Sequence, residues 1–153
     1  MTASTENDIL DDERITAFGL LVEANRRLAR TMESSLRASH GLTLIDFEAL
    51  VRLGRSDEQQ MSMSELAGQM VLTSGGVTRL IDRLVNEGFV ERVSCPSDRR
   101  VQWARLTKSG ERAVAAALET HLDDLDKHFF ASMSPQELRT VVAVLDRLRT
   151  SGG

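Results

Sequence analysis

The chain has a single cysteine, two prolines, no tyrosine and only 4% aromatic residues among 153. One thiol cannot close an internal disulfide, which fits a reducing compartment. So thin an aromatic complement argues against a single-strand binder that works by stacking bases on rings. No apolar run reaches the roughly 20 residues that a membrane-spanning helix needs. The start, MTASTENDILDDE, is polar and acidic rather than basic and then apolar. The expected location is therefore the cytoplasm, with no membrane partner. A P-loop and a dinucleotide fingerprint are both missing, the Ser, His and Asp residues follow no known triad order, and no carboxylates cluster in a cleft-forming context. No enzymatic activity is expected. There are no repeats or low-complexity segments. What is present is 41% apolar content, enough to fill a core, in a length suited to one compact domain or one subunit of an intimate oligomer.

The most informative stretch runs from Ser62 to Thr107. Val77, Leu80, Ile81, Leu84 and Val85 fall at i, i+3, i+4, i+7 and i+8, a complete apolar stripe of helical period. Gly88 ends that helix as its C′ residue. Thr73 and Ser74 offer capping hydroxyls at its start, and Gly75 and Gly76 put bare backbone in its first turn. Each glycine costs roughly 1 kcal/mol of helix propensity relative to alanine, so their presence points to something that approaches the backbone closely. The polar face carries Ser74, Thr78, Arg79, Asp82, Arg83 and Asn86, a mixed donor and acceptor surface suited to phosphates and to base edges in a major groove. Upstream, Ser62-Met63-Ser64-Glu65 matches a capping box ahead of Leu66, Ala67 and Met70, and Val71-Leu72-Thr73 makes the turn of a helix-turn-helix. Downstream, Phe89 to Val93 and Val101 to Leu106 read as two strands around a polar tip, Ser94 to Arg100, with Pro96 inside it.

The net charge of −4 does not speak against a polyanion partner. Between Thr73 and Lys108 lie seven basic residues (Arg79, Arg83, Arg92, Arg99, Arg100, Arg105 and Lys108) against four acidic ones (Asp82, Glu87, Glu91 and Asp98), so the remainder carries −7. Counterion release depends on the residues that touch the duplex, and a local basic face on an acidic body suffices.

In the order SMSELAGQM, TSGGVTRLIDRLVNEGFVER, DRR and RLTKSG, the chain resembles the MarR-type winged helix-turn-helix regulators, more loosely from about Ile9 to Arg149. The resemblance implies a mostly α fold with a small β-wing: a winged helix-turn-helix over 42–106, and an all-α dimerisation region over 9–39 and 107–150, interleaved in an intertwined homodimer. Residues 1–8 are expected to form a tail. It also implies a sequence-specific double-stranded DNA-binding regulator, a repressor by default, reading a pseudo-palindrome. The recognition-helix residues are then Thr73, Ser74, Gly75, Gly76, Thr78, Arg79 and Arg83. In the wing, Asp98, Arg99 and Arg100 match the family's Asp-x-Arg motif, with Arg100 entering the minor groove, Asp98 bracing it and Arg99 on the backbone. The competing reading is a winged-helix protein-interaction module, which has no need of arginines on both the helix face and the hairpin tip.

The flanks agree with that plan. Ile15, Phe18, Val22, Asn25, Ala29, Met32 and Leu36 step along one long helix from about Leu10 to Ser39, stopped at His40-Gly41. Thr43 to Asp46 caps a second helix that ends at Gly54, and Arg55 to Gln60 reads as a polar loop. Thr107 caps a helix running to Phe129. Ser134-Pro135-Gln136-Glu137 opens the last one, with Leu138, Val141, Val142, Leu145 and Leu148 on one stripe. These stripes exceed what the small reader can cover, which predicts a two-fold dimer. By resemblance, a small aromatic or phenolic effector is expected near Phe18, Val22 and Phe47.

Cys95 sits in a basic loop and is expected to have some thiolate character. Peroxide-sensing relatives carry their cysteine on the first helix beside tyrosines, so Cys95 reads as incidental. His121, Asp124 and His128 fall at i, i+3 and i+7, but neither a His-x-x-x-His nor a cysteine pair occurs, and zinc takes three or four firm ligands. No metal and no cofactor are expected, and His40, His121 and His128 read as packing residues.

Overall fold

The computed structural model describes residues 10–95, 97, 98 and 100–150. The expected tail over 1–8, Pro96 and Arg99 lie outside the described residues. The elements in order are α1 (Glu13–His40), α2 (Leu44–Arg55), a 3-10 turn (Asp57–Gln59), β1 (Gln60–Ser62), α3 (Met63–Gln69), α4 (Ser74–Asn86), β2 (Val90–Ser94), β3 (Gln102–Leu106), α5 (Lys108–His128), a second 3-10 turn (Phe130–Ser132) and α6 (Pro135–Thr150). They divide into two units, one of residues 33–123 and one drawn from the two ends of the chain up to 32 and from 124 onward.

The core of the 33–123 unit is built from the periodic positions. Val77, Leu80, Ile81 and Leu84 of α4 are at most 2% exposed. Each buried side chain of that size contributes about 1.5–3 kcal/mol relative to exposure. They join Phe47, Leu50 and Leu53 of α2, Leu66 of α3, Val90 of β2 and Ala104 and Leu106 of β3. The expected reader over 42–106 lies inside this larger unit, because Leu36 of α1 and Val114 and Ala117 of α5 are buried in the same core.

The helix ends follow the local signals. Thr43 accepts from the Asp46 backbone N–H while the Asp46 side chain accepts from the Thr43 N–H, a full capping box. Ser134 and Glu137 make the same reciprocal pair at α6, with Ser134 N–H to Glu137 Oε2 at 2.8 Å. Gly88, at φ 76°, closes α4: its N–H reaches Val85 O and the Phe89 N–H reaches Leu84 O. That is the Schellman arrangement, and its left-handed residue favours glycine. The Thr107 hydroxyl accepts from the Gly110 N–H at 3.0 Å and donates to Gly88 O at 2.7 Å, joining the end of α4 to the start of α5. Gly110 itself is pressed against the Phe89 carbonyl, whose oxygen would lie 2.1 Å from any added Cβ.

Two expectations change. The helix expected to stop at Gly54 runs on to Arg55, because Gly54 keeps helical geometry and Ser56 supplies the terminus, its hydroxyl donating to Leu53 O at 2.7 Å. The loop expected over Arg55 to Gln60 contains a 3-10 turn and leads into β1, so the ribbon is a three-stranded antiparallel sheet in the order β1-β3-β2. β1 pairs Gln60 with Arg105, Met61 with Ala104 and Ser62 with Trp103. The wing hairpin pairs Val90 with Leu106 through Ser94 with Gln102.

The other unit is two helical segments, α1 up to Met32 and the chain from Asp124 through α6. No residue of α6 is buried. Phe18 is 68% exposed, Leu20 62%, Val142 58% and Leu148 57%.

Candidate nucleic-acid interface

The helix α4 starts with Thr73 as N-cap, its hydroxyl accepting from the Gly76 N–H at 3.1 Å. Such a cap stabilises a helix by about 1 kcal/mol. Ser74 is the first helical residue, and its carbonyl accepts from the Thr78 hydroxyl at 2.8 Å. Ser74, Gly75, Thr78 and Arg79 are all exposed. A Cβ on Gly75 would meet nothing within 4 Å, so the protein's own packing does not demand glycine there.

Ion pairing sorts the basic residues of the stretch into two groups. Arg83 donates from Nε to Asp46 Oδ1 at 2.9 Å and from Nη2 to the same oxygen. Arg92 pairs with Asp82 at 2.6 Å, tying β2 to α4. Arg105 pairs with Glu91 at 2.9 Å, directly across β2 and β3, and Lys108 pairs with Glu111 at 2.9 Å. Arg79 and Arg100 stand apart: both are exposed, and among the described residues neither guanidinium has an ion-pair partner. Two of the positions expected on the recognition helix thus differ, Arg79 being free to reach an external anion while Arg83 is already held.

At the wing tip the Asp98 carboxylate accepts from the backbone N–H of Arg100 at 2.9 Å, and the Asp98 carbonyl accepts from the Val101 N–H at 3.0 Å. Asp98 therefore braces Arg100 through its main chain, and the side chain is left outside the turn. Cys95, in the same turn, has its sulfur 3.1 Å from the Ser97 hydroxyl. That hydrogen bond, with the Ser97 and Asp98 backbone N–H groups, holds the thiol below its ordinary range.

Two carboxylates secure the start of α2. Glu33 accepts from the Leu44 N–H at 2.5 Å and pairs with Arg37, and the Leu44 bond first, then Arg37, holds its carboxyl below the usual range. Asp46 is the second. Its link to Arg83, 37 residues away, had no signal in the sequence beyond the cap motif around Thr43.

The positions expected around an effector lie in different settings. Phe18 and Val22 line an open groove of about 670 Å³ on α1, together with Gly19, Glu23, Arg26, Arg27 and Arg30. Phe47 is 4% exposed in the reader's core, its ring centroid 4.7 Å from that of His121. The His40 ring nitrogen Nε2 is 2.8 Å from the Thr120 hydroxyl, which gives that histidine a structural role.

Three helices with a capped turn between α3 and α4, followed by a β-hairpin, define a winged helix-turn-helix protein. A profile of the MarR family matches residues 42–101. The HTH-type transcriptional regulator YdgJ of Bacillus subtilis, itself uncharacterised, is 30% identical over 114 residues, 74% of this chain and 68% of that one. AbsC, a MarR family transcriptional regulator from Streptomyces coelicolor, superposes with a TM-score of 0.84 at 30% identity, covering 92% of this chain and 94% of that one. Sco3205, a MarR family regulator of the same organism solved in complex with DNA, shares the fold with a TM-score of 0.85 at 24% identity, covering 91% and 87%. The chain belongs to the MarR family.

Proposed function

We propose that the chain binds double-stranded DNA sequence-specifically as a two-fold homodimer and regulates transcription, as a repressor where it covers a promoter. The observation that carries this reading is the pair of unpartnered, exposed arginines, Arg79 on the capped helix and Arg100 on the wing. In a folded domain whose other described cations between Thr73 and Lys108 are matched to carboxylates, two unmatched guanidinium groups on the elements suited to the major and minor grooves support contacts to phosphates and base edges. Thr73, Ser74, Gly75, Gly76 and Thr78 supply the helix start, where backbone and hydroxyl groups meet a phosphate and bare glycine lets it come close. Arg99 adds a backbone contact.

The exposed apolar side chains of α1 and α6 support the dimer, since stripes of this kind mark association surfaces. A dyad would set the two reading helices about one helical turn apart, on the order of 10 bp. The groove of Phe18 and Val22, rimmed by Arg26, Arg27 and Arg30, suits a small aromatic or phenolic effector. An effector that prefers a dimer with wrongly spaced helices lowers DNA affinity, and DNA lowers effector affinity by the same factor. Selection from a pool of random duplexes tests the reading. The expected product is an enriched pseudo-palindrome with half-sites about 10 bp apart, and a pool that stays random after repeated rounds overturns it.

A further inference from the structure

Asp46 is the one buried charged side chain among the described residues, 6% exposed, and a carboxylate so placed is costly unless fully matched. Capping alone does not need this. Oδ2 accepts from the Thr43 N–H at 3.1 Å and completes the cap of α2. Oδ1 is committed to Arg83 of α4, which approaches with Nε at 2.9 Å and with Nη2. One carboxylate thus joins the start of α2 to the middle of the reading helix. The Arg83 side chain remains 46% exposed, so its outer edge still faces solvent.

We propose that Asp46 is a positioning residue for sequence discrimination: it fixes the Arg83 guanidinium in one orientation and offsets its charge, so that Arg83 contributes register rather than raw affinity. This rests on the DNA-binding reading above. Arg79, one helical turn earlier and unpaired, is the contrasting case, a mobile full charge that adds affinity to any duplex. A guanidinium held from behind presents its remaining donors at a set angle and loses little freedom on contact, which favours the right base or phosphate position over a neighbouring one. The adjacent carboxylate also lowers attraction to phosphates in general, so non-specific binding is restrained.

The test compares the wild type with Asp46→Asn, which keeps the shape and a cap acceptor but removes the charge. Both are titrated against the selected duplex and a scrambled one over a range of salt. The expected result is a fall of about tenfold in the ratio of specific to scrambled affinity, the size of one well-oriented contact. The salt dependence on the scrambled duplex should steepen by about one unit as Arg83 becomes a full phosphate partner. A purely structural role for Asp46 would lower stability without steepening that slope. A folded Asp46→Asn protein with the wild-type ratio and slope overturns the proposal. If that variant does not fold, the Arg83 Nε–H resonance of the free wild type, assigned by its loss in Arg83→Lys, decides. Slow exchange with solvent is expected, and rapid exchange like that of Arg79 overturns it. Failure of the wild type to prefer any duplex removes the DNA-binding reading and this assignment with it. A discriminating wild type matched by Asp46→Asn removes this assignment alone.

Discussion

Within residues 33–123, Leu36, Leu50, Leu53, Leu66 and Ile81 are fully buried, whereas in the unit formed by the chain ends Phe18, Leu20, Val142 and Leu148 are each more than half exposed. The sequence patterns are alike, apolar residues at three- and four-residue steps in α1, α4 and α6. One region satisfies its stripe inside a single chain, and the other leaves most of its stripe uncovered, Met32 being its one buried hydrophobic among the described residues. A helical stripe tells which face seeks cover, and only the number of elements at hand tells whether the same chain provides it. The 33–123 unit has α2, α3 and α4, parts of α1 and α5, and three strands to close a core, while α6 has no buried residue at all. On this account the winged-helix unit folds on its own contacts and the terminal helices wait for a second copy.

That contrast can be broken most strongly from the open side. Leu20→Asp combined with Leu148→Asp places charge on the exposed apolar surface of α1 and α6, at side chains each more than half exposed within one chain. Sedimentation should show a monomer in place of the proposed dimer, and operator affinity should fall on the order of 100-fold as the two half-sites are no longer bound together. Retention of a dimer would show that these faces are not the association surface.

From the closed side, Gly110→Ala drives a methyl group into the Phe89 carbonyl, where 2.1 Å leaves no room. Overpacking against backbone should lower stability by about 3 kcal/mol, measured by denaturant unfolding. Arg100→Ala, at an exposed residue of the wing tip, should leave unfolding and oligomeric state unchanged while weakening operator binding roughly 10- to 100-fold in an anisotropy titration. Thr73→Ala removes the cap of α4 and should cost about 1 kcal/mol in the same unfolding assay. The smallest effect concerns pH. The Glu33 carboxyl is held below its ordinary range by the Leu44 N–H and Arg37, so its contribution is present above the unfolded value and lost as pH falls through the folded one. Glu33→Gln should therefore be less stable than the wild type near neutrality, and the gap should narrow as pH falls below the ordinary glutamate value of about 4.3 and through the lower folded one.

Much of the fold was legible because its signals are local. Thr43, Ser62, Thr73, Thr107 and Ser134 each announce a helix start within three residues, and Gly88 announces an end. β1 was not legible: three residues cannot show alternation, and Gln60–Ser62 is a strand only because β3, more than 40 residues later, pairs with it. The site divides the same way. Arg79 and Arg100 stand out by periodicity and motif, whereas the capture of Arg83 by Asp46 and of Arg92 by Asp82 depends on how the elements pack. Counting charges along the chain gave the sign of the face, and packing decided which arginines are left to act.

The central claim is that phosphate contacts from unpartnered arginines drive recognition of a duplex. Titrating the wild type against its selected duplex at several salt concentrations tests it most directly. The logarithm of the association constant should fall linearly with the logarithm of salt, by about 0.9 for each phosphate contacted, and Arg79→Ala and Arg100→Ala should each reduce that slope by about one. Specific binding whose strength does not change with salt would contradict the account.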